Sequence, residues 1–202
     1  VKKLREFNCD LFVSMSYNQI LSKKIFTLPK LNTINCHAGK LPFYRGRNPL
    51  NWVLINGEKE WGITVHFIDE GIDTGDIIDQ KIFKIKSKDN YFTLLKKAHN
   101  ECPKILYNSI KNIQKNQFKR ISQTNIGKGS YFPKRKKGDE VINWNTSALD
   151  ISNFIRALSY PGPIARSFIN QKEFFIYKAE IKNNIQENTY PGKIIDVINK
   201  QI

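Results

Sequence analysis

Short apolar runs rich in β-formers alternate along this chain with stretches whose apolar residues recur every three or four positions. DLFVS (Asp10 to Ser14) and LNTINC (Leu31 to Cys36) read as strands, because compact apolar runs suit a strand covered on both faces. Asn18 to Phe26 reads as a brief helix between them. PLNWVLING predicts a helix opened by Pro49 and closed by Gly57, since proline fits the first helical turn and glycine the residue past the end. WGITVHFI (Trp61 to Ile68) predicts a strand with Ile63, Val65 and Phe67 on one face. The polar, glycine-bearing loop IDEGIDTGD then leads into another strand, Ile77 to Ile85. From about Asn90 a long helix is expected, with Leu94, Leu95, Ala98, Cys102, Ile105, Leu106 and Ile113 close to a 3.6-residue period. Strands alternating with helices predict the α/β class, with an open, Rossmann-like, mostly parallel sheet.

The pattern changes after about Gln123. A glycine- and lysine-rich connection, TNIGKGSYFPKRKKGD, precedes a short helix at Ala148 to Leu158, with Ile151, Phe154, Ile155 and Leu158 on one side. Strands are expected at Ala165 to Ile169, Glu173 to Lys178 and Lys193 to Val197. This divides the chain into a first domain, residues 1–130, and a smaller β-rich, OB-like domain, residues 131–202. The sequence opens at Val1 with KKLREF directly ahead of a buried strand, which a sheet must flank on both sides. The chain is therefore expected to be a fragment lacking the first strands of its sheet, with its second domain possibly cut short at Ile202.

Composition narrows the function. With 40% hydrophobic residues among 202, the chain can bury a core, and no apolar run nears the ~18 residues that cross a bilayer. A cytoplasmic protein is expected. Cys9, Cys36 and Cys102 lie far apart without a CxxC pairing, against a disulfide framework or a structural zinc site. A net charge of +15 favours anionic partners, although only Lys134 to Lys137 is dense, and that run reads as a solvated hinge.

The chemistry concentrates in INCHAGKLPFYRGRNPLNW. Asn35 and His37 are two apart in an extended segment and so share a side, near the carboxyl end of a strand where open α/β sheets bind ligands. An amide can donate to a developing oxyanion, and an imidazole can take a proton. DEGIDTGD supplies four carboxylates, Asp69, Glu70, Asp73 and Asp76, any of which would raise the His37 pKa if adjacent. Such a set points to acyl-type transfer without a Ser or Cys nucleophile. His66 alternates with an apolar face; it could line the cleft but is read as structural, and His99 is read as surface.

N-x-H-x-x-x-L-P-x-Y-R-G, running from Asn35 to Gly46 and followed by D-E-G-I-D-T-G-D, resembles the folate-dependent formyltransferases. SYFPKRKKGDEVINWN, FIRALSYPGP and QKEFFIYKAEI resemble the smaller domain of the same group. Gly39 and Lys40 depart from the family's frequent Ser-Leu, but the loop keeps its length and Pro42. The resemblance implies Asn35, His37 and Asp73 as catalytic residues and 10-formyltetrahydrofolate as donor, with no metal. It places the pterin near Met15, Ser16 and Tyr17 and the loop Asp69, Glu70, Gly71, Ile72 and Asp73, with Arg47 on the folate. Arg45 and Gly46 are expected at the substrate. YRGRNPLNWVLINGE most resembles enzymes that formylate nucleotide-linked amino sugars for surface polysaccharides, which implies that class as acceptor and a homodimer. The alternatives are a methionyl-tRNA formyltransferase, with tRNA as partner, and a truncated non-catalytic relic that binds folate or another protein.

Overall fold

A computed structural model describes residues 1–182 and 190–195. The main sheet has the order β1 (Phe12–Met15), β2 (Thr33–His37), β4 (Glu60–Phe67), β5 (Ile77–Lys84). Helix α1 (Lys2–Glu6) precedes it, and α2 (Lys23–Phe26) joins β1 to β2. A two-residue strand, β3 (Arg45–Gly46), and helix α3 (Pro49–Ile55) lie between β2 and β4. After β5 comes the long α4 (Tyr91–Gln114), then a 3-10 turn at Gln123–Asn125 and β6 (Tyr131–Phe132), which pairs with β3. The smaller part holds α5 (Ala148–Ala157) and a hairpin of β7 (Ala165–Ile169) and β8 (Lys172–Ile176).

The α/β class holds, but the sheet is mixed. Within the main sheet only β1 and β2 run parallel, and β4 is antiparallel to both β2 and β5. The nine residues between β4 and β5 explain part of this, since a parallel crossover needs about a dozen or more. The helix expected from Asn18 shrinks to Lys23–Phe26, and β2 runs one residue further than expected, so His37 lies in the strand itself. Lys193 to Ile195 form no strand, and residues 196 and 197 lie outside the described residues.

The alternation of apolar with polar side chains in β2 and β4 builds the core on one face. Ile34, Cys36, Ile63, Val65 and Phe67 pack with Leu50, Val53, Leu54, Leu94, Ala98, Cys102 and Ile105 from the helices. Trp61 is 1% exposed and stacks on Phe83 with ring centroids 5.0 Å apart. The start of α4 is fixed by a capping box in which Asn90 and Thr93 satisfy each other's backbone N–H. A second apolar cluster, Ile142, Ile155, Leu158 and Ala165, sits in the smaller part. The buried Asn51 amide joins the two parts by donating to Ala157 O at 2.7 Å. Among the described residues no helix is long and apolar enough to cross a membrane.

Candidate active site

The β2–β4 register builds the site. Asn35 stands opposite His66 and His37 opposite Thr64, so four polar side chains form a row on one face while the odd-numbered residues of β4 fill the other. Thr64 Oγ1 donates to Gly39 O at 2.7 Å and accepts from Gln80 Nε2 at 2.8 Å, which fixes the chain where it leaves β2. The loop from Ile68 to Asp76 folds over this row and delivers Asp73 to it.

Asp73 is the hub. Its Oδ2 accepts from Gly46 N–H at 2.9 Å and lies 3.6 Å from His37 Nδ1. Its Oδ1 lies 3.5 Å from His66 Nε2 and accepts from Asn35 Nδ2 at 3.4 Å. Asn35 Nδ2 is also 3.2 Å from His66 Nε2. His66 Nδ1–H donates to Phe67 O at 2.7 Å, so in the neutral ring Nε2 is the acceptor that Asn35 finds. Asp73 itself has φ +54°, a left-handed conformation that brings its carboxylate back toward β2. Gly75 makes that turn possible: a Cβ there would stand 2.0 Å from Phe67 O.

His37 is held by a hydrogen bond at one nitrogen and faces a carboxylate with the other. Nε2–H donates to Tyr44 O at 2.7 Å, which leaves Nδ1 as the basic nitrogen, facing Asp73. Tyr44 is anchored in turn by its ring, stacked on Phe132 at 4.8 Å, and by its hydroxyl, which donates to Glu58 at 2.6 Å. Gly39 permits the close approach, because a Cβ there would lie 2.4 Å from His37 Nε2.

Burial corrects the expected electrostatics. Asp73 and the Tyr44 carbonyl do push the His37 pKa up, but desolvation of the buried ring is larger, and His66 adds to it. The result is a pKa below the ordinary histidine value, and a neutral ring at pH 7. Burial pushes the Asp73 carboxyl up, yet His66, His37 and the Gly46 N–H together hold it down to about 2. The site therefore pairs a neutral base with a permanent carboxylate.

Arg45 is half-buried and gives both Nε (3.0 Å) and Nη2 (2.7 Å) to Gln123 Oε1; Gly46 follows in β3. Arg47 is exposed and donates to Asn18 O, next to the segment Met15, Ser16 and Tyr17 where β1 ends. Ser16 takes φ +55° there, and Met15, Tyr17 and Ile72 expose apolar side chains suited to a planar ring. Asp69 and Glu70 turn elsewhere: Asp69 accepts from Gly71 N and Thr74 Oγ1, and Glu70 pairs with Lys23 at 2.7 Å. Two surface cavities lie apart from Asn35, His37 and Asp73, none of which lines either. One, of about 480 Å³, runs from Asn48 to Arg135, Arg166 and Phe175; the other, of about 460 Å³, lies behind the loop at Lys23, Phe67, Glu70 and Arg120. Sequence reasoning undervalued His66 and missed Thr64 and Gln123. The alternation of Thr64 and His66 with Ile63, Val65 and Phe67 was the available signal for the first two.

Residues 1–110 match the family described as formyl transferase, and residues 134–202 match the formyl transferase C-terminal domain. A methionyl-tRNA formyltransferase of Thermodesulfovibrio yellowstonii is 40% identical over 202 residues, 100% of this chain and 64% of that protein. The bifunctional polymyxin resistance protein ArnA of Wigglesworthia glossinidia brevipalpis is 41% identical over 193 residues, 96% of this chain and 29% of that protein. The chain thus spans less than two thirds of these curated relatives. Among solved structures, the N-formyltransferase of Helicobacter canadensis, in complex with folinic acid and dTDP-3-aminofucose, aligns with a TM-score of 0.69 at 30% identity. That alignment covers 86% of this chain and 62% of the other.

Proposed function

The chain belongs to the folate-dependent formyl transferase family, and from that premise we propose that it moves a formyl group from 10-formyltetrahydrofolate to the amine of methionyl-tRNA. The observation that carries formyl transfer is the Asn35, His37 and Asp73 cluster, in which a neutral base, an amide donor and a fixed carboxylate meet. The amine attacks the formyl carbon. Asn35 Nδ2, which rests between Asp73 Oδ1 and His66 Nε2, gives up one of those contacts and donates that N–H to the developing oxyanion. His37 Nδ1 receives the amine's proton on the side where Asp73 stands, directly or through a water, and returns it to the departing folate nitrogen. With its pKa held to about 2, Asp73 cannot keep that proton; its charge favours the imidazolium instead. Met15, Ser16, Tyr17, Arg47 and the loop Asp69 to Asp73 are assigned to the folate, and Arg45 and Gly46 to the acceptor side. Residues 1–130 form the catalytic domain in this reading, and 131–202 the smaller one.

Support for tRNA as acceptor comes from the 40% identical relative and from charge. The chain carries +15, and Lys134, Lys136 and Lys137 are exposed beside the cavity that begins at Asn48. A second reading, a nucleotide-linked amino sugar, is favoured by the loop YRGRNPLNWVLINGE and by the 30% identical enzyme in complex with dTDP-3-aminofucose. Release of tetrahydrofolate with each acceptor separates them. With tRNA, kcat/KM should fall about tenfold or more as salt rises from about 50 to about 200 mM. Turnover only with an amino sugar transfers the assignment to the second reading, and a folded protein silent with every acceptor refutes both.

A further inference from the structure

We propose that Gln123 is a positioning residue that locks Asp73 and Arg45 into one register and so sets where the carboxylate meets His37. Gln123 is 2% exposed and belongs to no element of the main sheet, yet its amide reaches both β3 and the loop that carries Asp73. Oε1 accepts from Arg45 Nε at 3.0 Å and Nη2 at 2.7 Å. Nε2 donates to Asp73 O at 2.9 Å and Gly75 O at 2.7 Å. Both acceptor sites and both hydrogens of the amide are therefore in use. A buried amide saturated in this way tolerates one arrangement of its partners, because any shift leaves a desolvated polar group unpaired.

The partners need such a restraint. Asp73 stands at φ +54°, a conformation that a non-glycine residue holds only where its surroundings fix it. Gly46 N–H fixes its carboxylate, while Gln123 fixes its carbonyl and that of Gly75. Gln123 takes its own position from the sheet. Two residues earlier, Ile121 exchanges both backbone hydrogen bonds with Ile77 at the base of β5, each 2.9 Å long. The path runs from β5 through Ile121 and Gln123 to the Asp73 backbone, then through the carboxylate to His37.

The effect on turnover rests on the formyl-transfer reading; the effect on geometry does not. Gln123→Met keeps the length of the side chain and removes all four hydrogen bonds. Gln123→Glu keeps an acceptor for Arg45 but has no N–H for the Asp73 and Gly75 carbonyls. If the donor half of the amide matters, both variants lower kcat by about 10- to 100-fold, the scale expected for an ångström of misplacement, with KM for 10-formyltetrahydrofolate within about threefold. NMR titration of the His37 ring supplies a readout independent of activity: both variants should move its pKa further down as Asp73 swings away. A kcat within threefold of the parent in either folded variant overturns the proposal. So does a loss of kcat with an unchanged His37 titration, which would mark general loosening of the fold. If the parent protein itself releases no tetrahydrofolate, the functional reading fails, and the His37 titration alone decides whether Gln123 positions Asp73.

Discussion

Asp73→Asn isolates charge from shape. The amide is nearly isosteric and its oxygen can still accept from Gly46 N–H, so the loop should keep its course. What disappears is a negative charge 3.6 Å from His37 Nδ1. At an effective dielectric of ~20, that separation corresponds to a gross attraction of about 4.6 kcal/mol for the imidazolium. Part of this is offset by the desolvation that already lowers the His37 pKa, and carboxylate neighbours shift a pKa by roughly 1 to 3 units in practice. The transition state, in which His37 carries the proton, should lose about 1.4 to 4 kcal/mol, or roughly 10- to 1,000-fold in kcat. Tetrahydrofolate release at saturating donor and acceptor measures this, and the ascending limb of its pH profile should move to lower pH. Stability should fall as well. The drop of the Asp73 pKa from 3.8 to about 2 corresponds to about 2 kcal/mol at neutral pH that a neutral side chain forgoes. For a chain of this size that is about 4 to 8 °C in Tm. An Asp73→Asn protein with kcat within threefold of the parent would refute the assigned role, whatever its Tm.

Three further outcomes are expected. Asn35→Ala should lower kcat by about 100- to 1,000-fold with the circular dichroism spectrum unchanged; a loss below threefold would show that the amide does not serve the oxyanion. Gly39→Ala places a Cβ 2.4 Å from His37 Nε2 and 2.8 Å from Tyr44 O, so the His37–Tyr44 hydrogen bond should be lost. The downfield Nε2–H proton resonance should vanish and kcat fall about tenfold or more; persistence of that resonance would show that the loop can give way. Acid should destabilise the fold in two stages. His37 has a folded pKa below 6.5, so the unfolded chain takes that proton first and stability declines once pH falls below about 6.5. Asp73, with a folded pKa below its unfolded 3.8, contributes stability above 3.8 that is lost as pH falls toward about 2. Tm measured against pH should show both declines, and His37→Asn should remove the first; an unaltered profile in that variant would contradict the assignment.

Most of the longer strands and helices, and the shared side of Asn35 and His37, were legible in the local pattern. Both follow from local backbone geometry: a two-residue repeat in a strand and a 3.6-residue repeat in a helix are fixed by neighbours along the chain. PLNWVLING became α3, the pattern from Asn90 became α4, and the N-x-H pair with its proline loop, taken together with D-E-G-I-D-T-G-D, carried the resemblance to the family. Spacing left four carboxylates open, and only the folded loop turned Asp69 and Glu70 away and brought Asp73 to both histidines. The direction of the His37 pKa was likewise tertiary, because it is the difference between a carboxylate's attraction and the desolvation imposed by every residue around the ring. The mixed sheet and the reach of Gln123 to a loop some fifty residues earlier had no local signature. Long-range pairing and burial depend on what the whole chain brings together, and no window of sequence contains that.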